Sequence, residues 1–231
     1  MKSRQVENEI LKKAIHGDII AYQKLFSEFQ ASLKSYLYRL LADRNDSEDL
    51  THDTFVRGFD KINTISGEAS FKTWIFTIST RLAYDELRKR KRWSRDAQDQ
   101  SKAFAEGNDA VQSLFRSANQ SPYGAYEITE HIDFCFTCIS KTLSIENQVA
   151  LILKDVYDFP VKDIALILEM TVATVKNQLY EARSAMIEIF DNRCALVSKK
   201  GHCHQCSELN AVFNPKQNQR EALMKVKLAQ E

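Results

Sequence analysis

The chain has 231 residues, 44% of them hydrophobic, and Lys+Arg 32 nearly balances Asp+Glu 31. That is long enough for one large or two small globular domains, and any nucleic-acid surface must be a local patch rather than a field of the whole molecule. Only Gly 6 and Pro 3 punctuate it, and alternating strand patterns are hard to find, so the fold class expected is all-α.

The N-terminus, MKSRQVENEILKKAIHGD, lacks the apolar centre of a signal peptide, and no run approaches the roughly 18 apolar residues of a membrane span. A cytoplasmic protein without membrane insertion is expected. Apolar periodicity then predicts helices over 6–15, 18–41, 46–61 and 69–92, broken at Gly17-Asp18, at 43–46 and by a loop over 63–69. Asp46 or Ser47 is the expected N-cap of the third helix and Ser70 that of the fourth. The fourth helix is the most distinctive segment. Phe71, Trp74, Ile75, Ile78 and Leu82 share one face, while residues 81–95 carry seven Arg or Lys against Asp85 and Glu86. Cationic side chains neutralise phosphates and aromatic rings stack on unpaired bases, which suits a nucleic-acid partner. Trp74 fits a stacking platform or, at its spacing with Phe71 and Ile78, a core position.

Residues 94–126 turn polar and read as an interdomain linker. A second helical block follows, with helices predicted over 127–141, 145–156, 161–168 and 172–190, and Pro160 suits the first turn of the 161–168 helix. The last two, separated by Glu169-Met170-Thr171, have helix-turn-helix spacing. Ile164, Ala165 and Leu168 face Val175, Leu179 and Ala182. This leaves Thr171, Val172, Ala173, Thr174, Lys176, Asn177 and Gln178 at the exposed start of the second helix, where such side chains read base edges. Lys176 and Arg183 are placed for phosphates.

Past Asn192 the chain is rich in Cys and His. Cys194, His202, Cys203, His204 and Cys206 can supply four ligands to a tetrahedral zinc ion, and Cys135 with Cys138 is a second CxxC pair that fits equally as small core residues. A thiol redox switch is the competing use of these residues. A last helix is expected near 217–230.

As a set and in this order, DLTHDTFVRGFD, FKTWIFTISTRLAYDELRKRKR and PVKDIALILEMTVATVKNQLYEARSAM resemble an RNA polymerase sigma factor of the sigma-70 family, extracytoplasmic-function (ECF) type, over about 18–92 and 127–190. The resemblance implies four parts: sigma region 2 over 1–93, a linker over 94–126, sigma region 4 over 127–191 and a Cys/His-rich extension over 192–231. It implies a non-enzyme that binds core RNA polymerase through its clamp and flap, recognises minus-35 and minus-10 promoter elements and opens DNA. An anti-sigma factor is a further candidate partner. Asp46, Glu48, Asp49, Leu50, Asp53, Thr54 and Phe55 match the polymerase-docking helix, with His52 where the family usually has Gln. The loop from Asn63 to Ala69 matches the one that captures a flipped base. Lys72, Thr73, Trp74, Thr77, Arg81, Asp85 and Arg88 fall in the minus-10 helix, followed by a basic tail that includes Arg90. The resemblance makes the Cys/His-rich tail a regulatory extension. The alternatives are a helix-turn-helix regulator without sigma activity and, in another class, a zinc or thiol-redox enzyme; the latter lacks a βαβ context and an H-x-E…C-x-x-C signature.

Overall fold

The computed structural model describes residues 2–65, 69–90 and 140–193, and among them there is no strand. The predicted helix 217–230, residues 127–139 of the predicted helix 127–141, the linker, residues 66–68 of the capture loop, and Cys135, Cys138, Cys194, His202, Cys203, His204 and Cys206 lie outside the described residues. Two compact units are distinguished: residues 1–91 with 145–179, and residues 92–144 with 180–231.

In the first unit the helices are α1 (Lys2–Ile15), α2 (Ile19–Leu41), α3 (Arg44–Lys61), α4 (Phe71–Lys89), α5 (Ile145–Leu151), α6 (Val161–Leu168) and the start of α7 (Val172–Arg193). A 3₁₀ turn, Ile62–Thr64, follows α3, and a π-helical turn, Ile152–Val156, follows α5. The boundaries have local causes. Gly17 takes φ +92°, a left-handed conformation that favours glycine, and its N–H reaches the Ala14 carbonyl at 2.9 Å, closing α1. Asp18 then accepts from the Ile20 and Ala21 amides at 2.9 and 3.1 Å, opening α2.

The N-cap of α3 is Asp43, not Asp46 or Ser47. Its extended backbone aims the carboxylate at the Asp46 amide, 3.0 Å away, so the helix starts two residues earlier than periodicity suggests. Asp46 falls inside the first turn, where the helix dipole also favours an acid. Ser70 does cap α4, accepting from the Thr73 amide at 3.1 Å. Pro160 stands at the N-cap of α6, its carbonyl accepting from the Asp163 and Ile164 amides.

The core of α1–α4 is aromatic. Tyr22, fully buried, packs against Phe26, Phe55, Phe59 and Phe71, with ring centroids 5.2–6.1 Å apart, and donates its hydroxyl to the Phe55 carbonyl at 3.0 Å. Gly58 makes that approach possible. A Cβ there would overlap the Tyr22 hydroxyl and lie 2.8 Å from Ile75 Cδ1. Of the second unit the structure describes residues 140–144 and the end of α7, where Ala182, Met186 and Ile189 are buried at helical spacing.

Candidate nucleic-acid interface

The residues expected to meet polymerase lie on α3. Asp49 and Asp53 are exposed, whereas Leu50 is half-buried. Glu48 accepts from Lys34 of α2 at 2.5 Å, and that bonded ammonium holds its carboxyl below the usual carboxylate range. Phe55 is half-buried, its ring 5.1 Å from Phe26, and with Gln23, Phe26, Lys34, Glu48 and His52 it lines a groove of about 510 Å³ between α2 and α3. Asp46 is paired with Arg90 at the far end of α4. An acidic surface with one half-exposed ring suits a basic protein partner.

On α4 the expected DNA residues have diverse environments. Asn63 is exposed in the 3₁₀ turn. The Lys72 ammonium sits 4.3 Å over the Phe159 ring. Thr73 is buried and donates to Asp163 at 3.4 Å, while the Thr77 hydroxyl donates back to the Thr73 carbonyl at 2.9 Å. Arg81 pairs with Glu169. Arg88, exposed, lies 3.5 Å from Asp85 and 5.6 Å from the Tyr84 ring centroid. Arg90 donates to the Leu41 carbonyl at 2.6 Å, to Asp46, and at 3.4 Å to Glu86. Trp74 is half-buried with its ring 5.8 Å from Phe71.

In the helix-turn-helix, Glu169 ends α6 in the left-handed region at φ 55°, and the Met170 amide returns to the Ala165 carbonyl at 2.9 Å. The Thr171 hydroxyl accepts from the Thr174 amide at 3.1 Å and so caps α7. Thr171, Val172, Ala173, Thr174, Lys176 and Asn177 are exposed; Gln178 is half-buried, and beneath them Ile164, Leu168, Val175 and Leu179 are buried. Arg183 is half-buried and belongs to the second unit. Among the described residues no cluster of His, Cys, Asp or Glu could hold a metal ion.

Sequence reasoning missed the residues that meet α4 from the second block. Phe159, 1% exposed, packs on Phe76 at 4.9 Å, and Tyr157 stands edge-on to Tyr36 at 5.7 Å while its hydroxyl donates to Ser35 at 2.9 Å. The available signal was two aromatic residues in the short connection Tyr157-Asp158-Phe159-Pro160, where polar turn residues are the ordinary choice.

Comparison with known proteins agrees with this architecture. The Sigma-70 region 2 model matches residues 25–93, and the Sigma-70, region 4 model matches residues 134–186. The chain is 22% identical to the RNA polymerase sigma-H factor of Pseudomonas aeruginosa over 188 residues, 80% of this chain and 94% of that one. It is 25% identical to the ECF RNA polymerase sigma factor SigW of Bacillus subtilis, covering 76% and 92% of the two chains. To the ECF RNA polymerase sigma-E factor of Haemophilus influenzae it is 26% identical over 81% and 96%. Among solved structures, CnrH in complex with the cytosolic domain of CnrY is similar in fold at TM-score 0.58 and 14% identity, over 80% of this chain and 97% of that one. With region 2 and region 4 matched in that order over more than half of its length, the chain belongs to the sigma-70 family.

Proposed function

We propose that the protein is an ECF-type sigma factor, a non-enzymatic cytoplasmic subunit that binds core RNA polymerase and directs it to promoters. The observation that carries this reading is the joint presence, in family order, of region 2 with an aromatic, basic α4 and region 4 with an exposed recognition-helix start. In it, the acidic face of α3 docks on the polymerase clamp and region 4 on the flap. Thr174, Lys176, Asn177 and their exposed neighbours read the minus-35 element, and α4 with the Asn63 turn engages the minus-10 element.

Promoter melting is part of the proposal. Separating a base-pair step costs about 1–2 kcal/mol, and holding an extruded base by stacking returns about 1–3 kcal/mol. A few trapped bases and Lys/Arg contacts to phosphate therefore suffice without nucleotide hydrolysis. An anti-sigma factor is a proposed partner, as the family resemblance implies. The Cys/His-rich extension is proposed to hold zinc through Cys194, Cys203 and Cys206 with His202 or His204, with Cys135 and Cys138 as further donors; the donor chemistry of thiolates and imidazole is what supports it. Metal content of purified protein against Cys203→Ser and Cys206→Ser checks this part, equal content in all three counting against it.

The deciding experiment is transcription by core polymerase on genomic DNA with and without the protein, with 5′ ends mapped. New, protein-dependent starts sharing two upstream sequence elements are expected. Absence of both core binding and new starts refutes the reading, and DNA binding without them favours a helix-turn-helix regulator.

A further inference from the structure

On the face of α3 read as meeting polymerase, His52 is the group whose charge can change near neutral pH. Imidazole is the side chain that ordinarily titrates between pH 5 and 8, where carboxylates stay ionised and ammonium groups stay protonated. His52 is exposed and stands in the wall of the groove between α2 and α3, which the half-buried Phe55 also lines. Within one helical turn of it on either side, α3 carries Glu48, Asp49 and Asp53. Across the groove α2 contributes Lys34, which donates to Glu48 at 2.5 Å, and the remaining lining of the groove is uncharged. With a neutral His52, three carboxylates against one ammonium give this face a charge of −2; a protonated ring leaves −1.

We propose that His52 is a proton-operated gate on docking, so that a basic polymerase surface binds α3 with the imidazole neutral and is released as pH falls. The gate rests on the reading of α3 as the docking helix and names the regulation of that same surface. Two effects act in one direction. An imidazolium among the carboxylates cancels half of the charge that attracts a basic partner. A partner that closes over the groove also takes water from a ring on its wall, which disfavours the charged form. Glu48 does not blur the transition, because the bonded Lys34 ammonium holds its carboxyl below the usual carboxylate range and so ionised throughout the window. The docked form is the neutral one, so docking releases a proton: affinity is complete above the imidazole range and declines below it. An exposed charge contact changes an equilibrium by up to about fivefold, which sets the size of the effect.

The test measures binding to immobilised core RNA polymerase by biolayer interferometry at about pH 5.8 and about pH 7.8, one on each side of the imidazole range, at constant ionic strength. Wild type is compared with His52→Gln, which is neutral at both values, His52→Lys, which is charged at both, and His16→Gln, which removes an exposed imidazole in the turn between α1 and α2, outside the groove. Wild type and His16→Gln are expected to bind about fivefold more weakly at the lower pH. His52→Gln should stay within about twofold across the two, and His52→Lys should bind at both like wild type at the lower pH. Far-UV circular dichroism of the four proteins should superimpose at the two values, since both positions are exposed. A wild-type affinity that does not change with pH, a pH dependence that persists in His52→Gln, or a loss that follows unfolding of wild type each overturns the gate and leaves the docking reading standing. Absence of polymerase binding by all four proteins at the higher pH sinks the docking reading, and the gate with it.

Discussion

Arg90 is the residue at which the expectation from sequence and the geometry make opposite predictions. As a DNA contact it would lie free at the basic end of α4. In the fold its guanidinium, with the side chain 30% exposed, instead clasps three elements: the Leu41 carbonyl at the end of α2, Asp46 in the first turn of α3, and Glu86 one turn back on α4. The Leu41 carbonyl is one of the last of α2, which lack intrahelical partners, so a charged donor there is worth about 1.5–3 kcal/mol. The Asp46 pair is 30% and 41% exposed, and screening limits it to about 0.5–1 kcal/mol; the Glu86 pair at helical i,i+4 spacing adds about 0.3 kcal/mol. Truncation Arg90→Ala should therefore cost about 2–4 kcal/mol of unfolding free energy, measured as a lowered urea midpoint by far-UV circular dichroism. Arg90→Lys should recover about half, since an ammonium reaches one acceptor well but cannot fork. A double-mutant cycle with Asp46→Asn should show about 0.5–1 kcal/mol of coupling. If instead Arg90→Ala unfolds at the wild-type midpoint and lowers the salt slope of DNA binding by about one, Arg90 is a phosphate contact and the clasp has no energetic weight.

Gly58→Ala places a methyl onto the Tyr22 hydroxyl and Ile75, so although alanine gains about 1 kcal/mol of helix propensity, a net loss of about 1–2 kcal/mol in thermal or urea unfolding is expected. A stabilised variant would show that Tyr22 can move at no cost. Ser70→Ala removes the cap of α4 and should lower stability by about 1 kcal/mol, with Ser70→Asp restoring it. Burial raises the hydroxyl pKa of Tyr22, Tyr36 and Tyr84 above the ordinary tyrosine value of 10.0. Because the folded values lie above the unfolded ones, this contribution is complete below pH about 10 and is lost as pH rises beyond it, so unfolding should set in on the alkaline side. Ultraviolet titration should show Tyr22, Tyr36 and Tyr84 ionising only with unfolding, and ionisation of these three near pH 10 in the folded protein would contradict the burial. On the acid side, Lys34 depresses the Glu48 carboxyl and Lys89 that of Glu86, so each contribution is present above the ordinary carboxylate range and disappears as pH falls through the folded value. Replacing both by Gln should flatten the acid limb of the urea midpoint against pH.

What could be read in the sequence was whatever is decided within a few residues along the chain. Helical periods of α2, α4, α6 and α7 are set by apolar residues three and four apart, and Ser70 and Gly17 mark ends because a hydroxyl or a positive φ acts on its own neighbours. Asp43 was overlooked because four candidate caps, Asp43, Asn45, Asp46 and Ser47, stand within five residues. Only the backbone angle at Asp43, φ −137° and ψ 125°, decides which carboxylate faces the orphan amides. The exposed start of α7 was legible for the same reason: burial of Val175 and Leu179 leaves their helical neighbours outside. Relations between distant segments were not legible. Arg81 and Glu169 are 88 residues apart and Arg90 and Asp46 are 44 apart, and charge alone permits many pairings for each. The aromatic residues at Tyr157 and Phe159 were the one local sign of such a relation. A connection that must lie in water has no reason to carry two large rings, so their presence requires a surface to receive them, and the only question left to tertiary structure was which one. The rings of Tyr36 and Phe76 answer it, and in doing so their packing brings Asp163 and Glu169 onto the helix that the basic pattern had assigned to DNA.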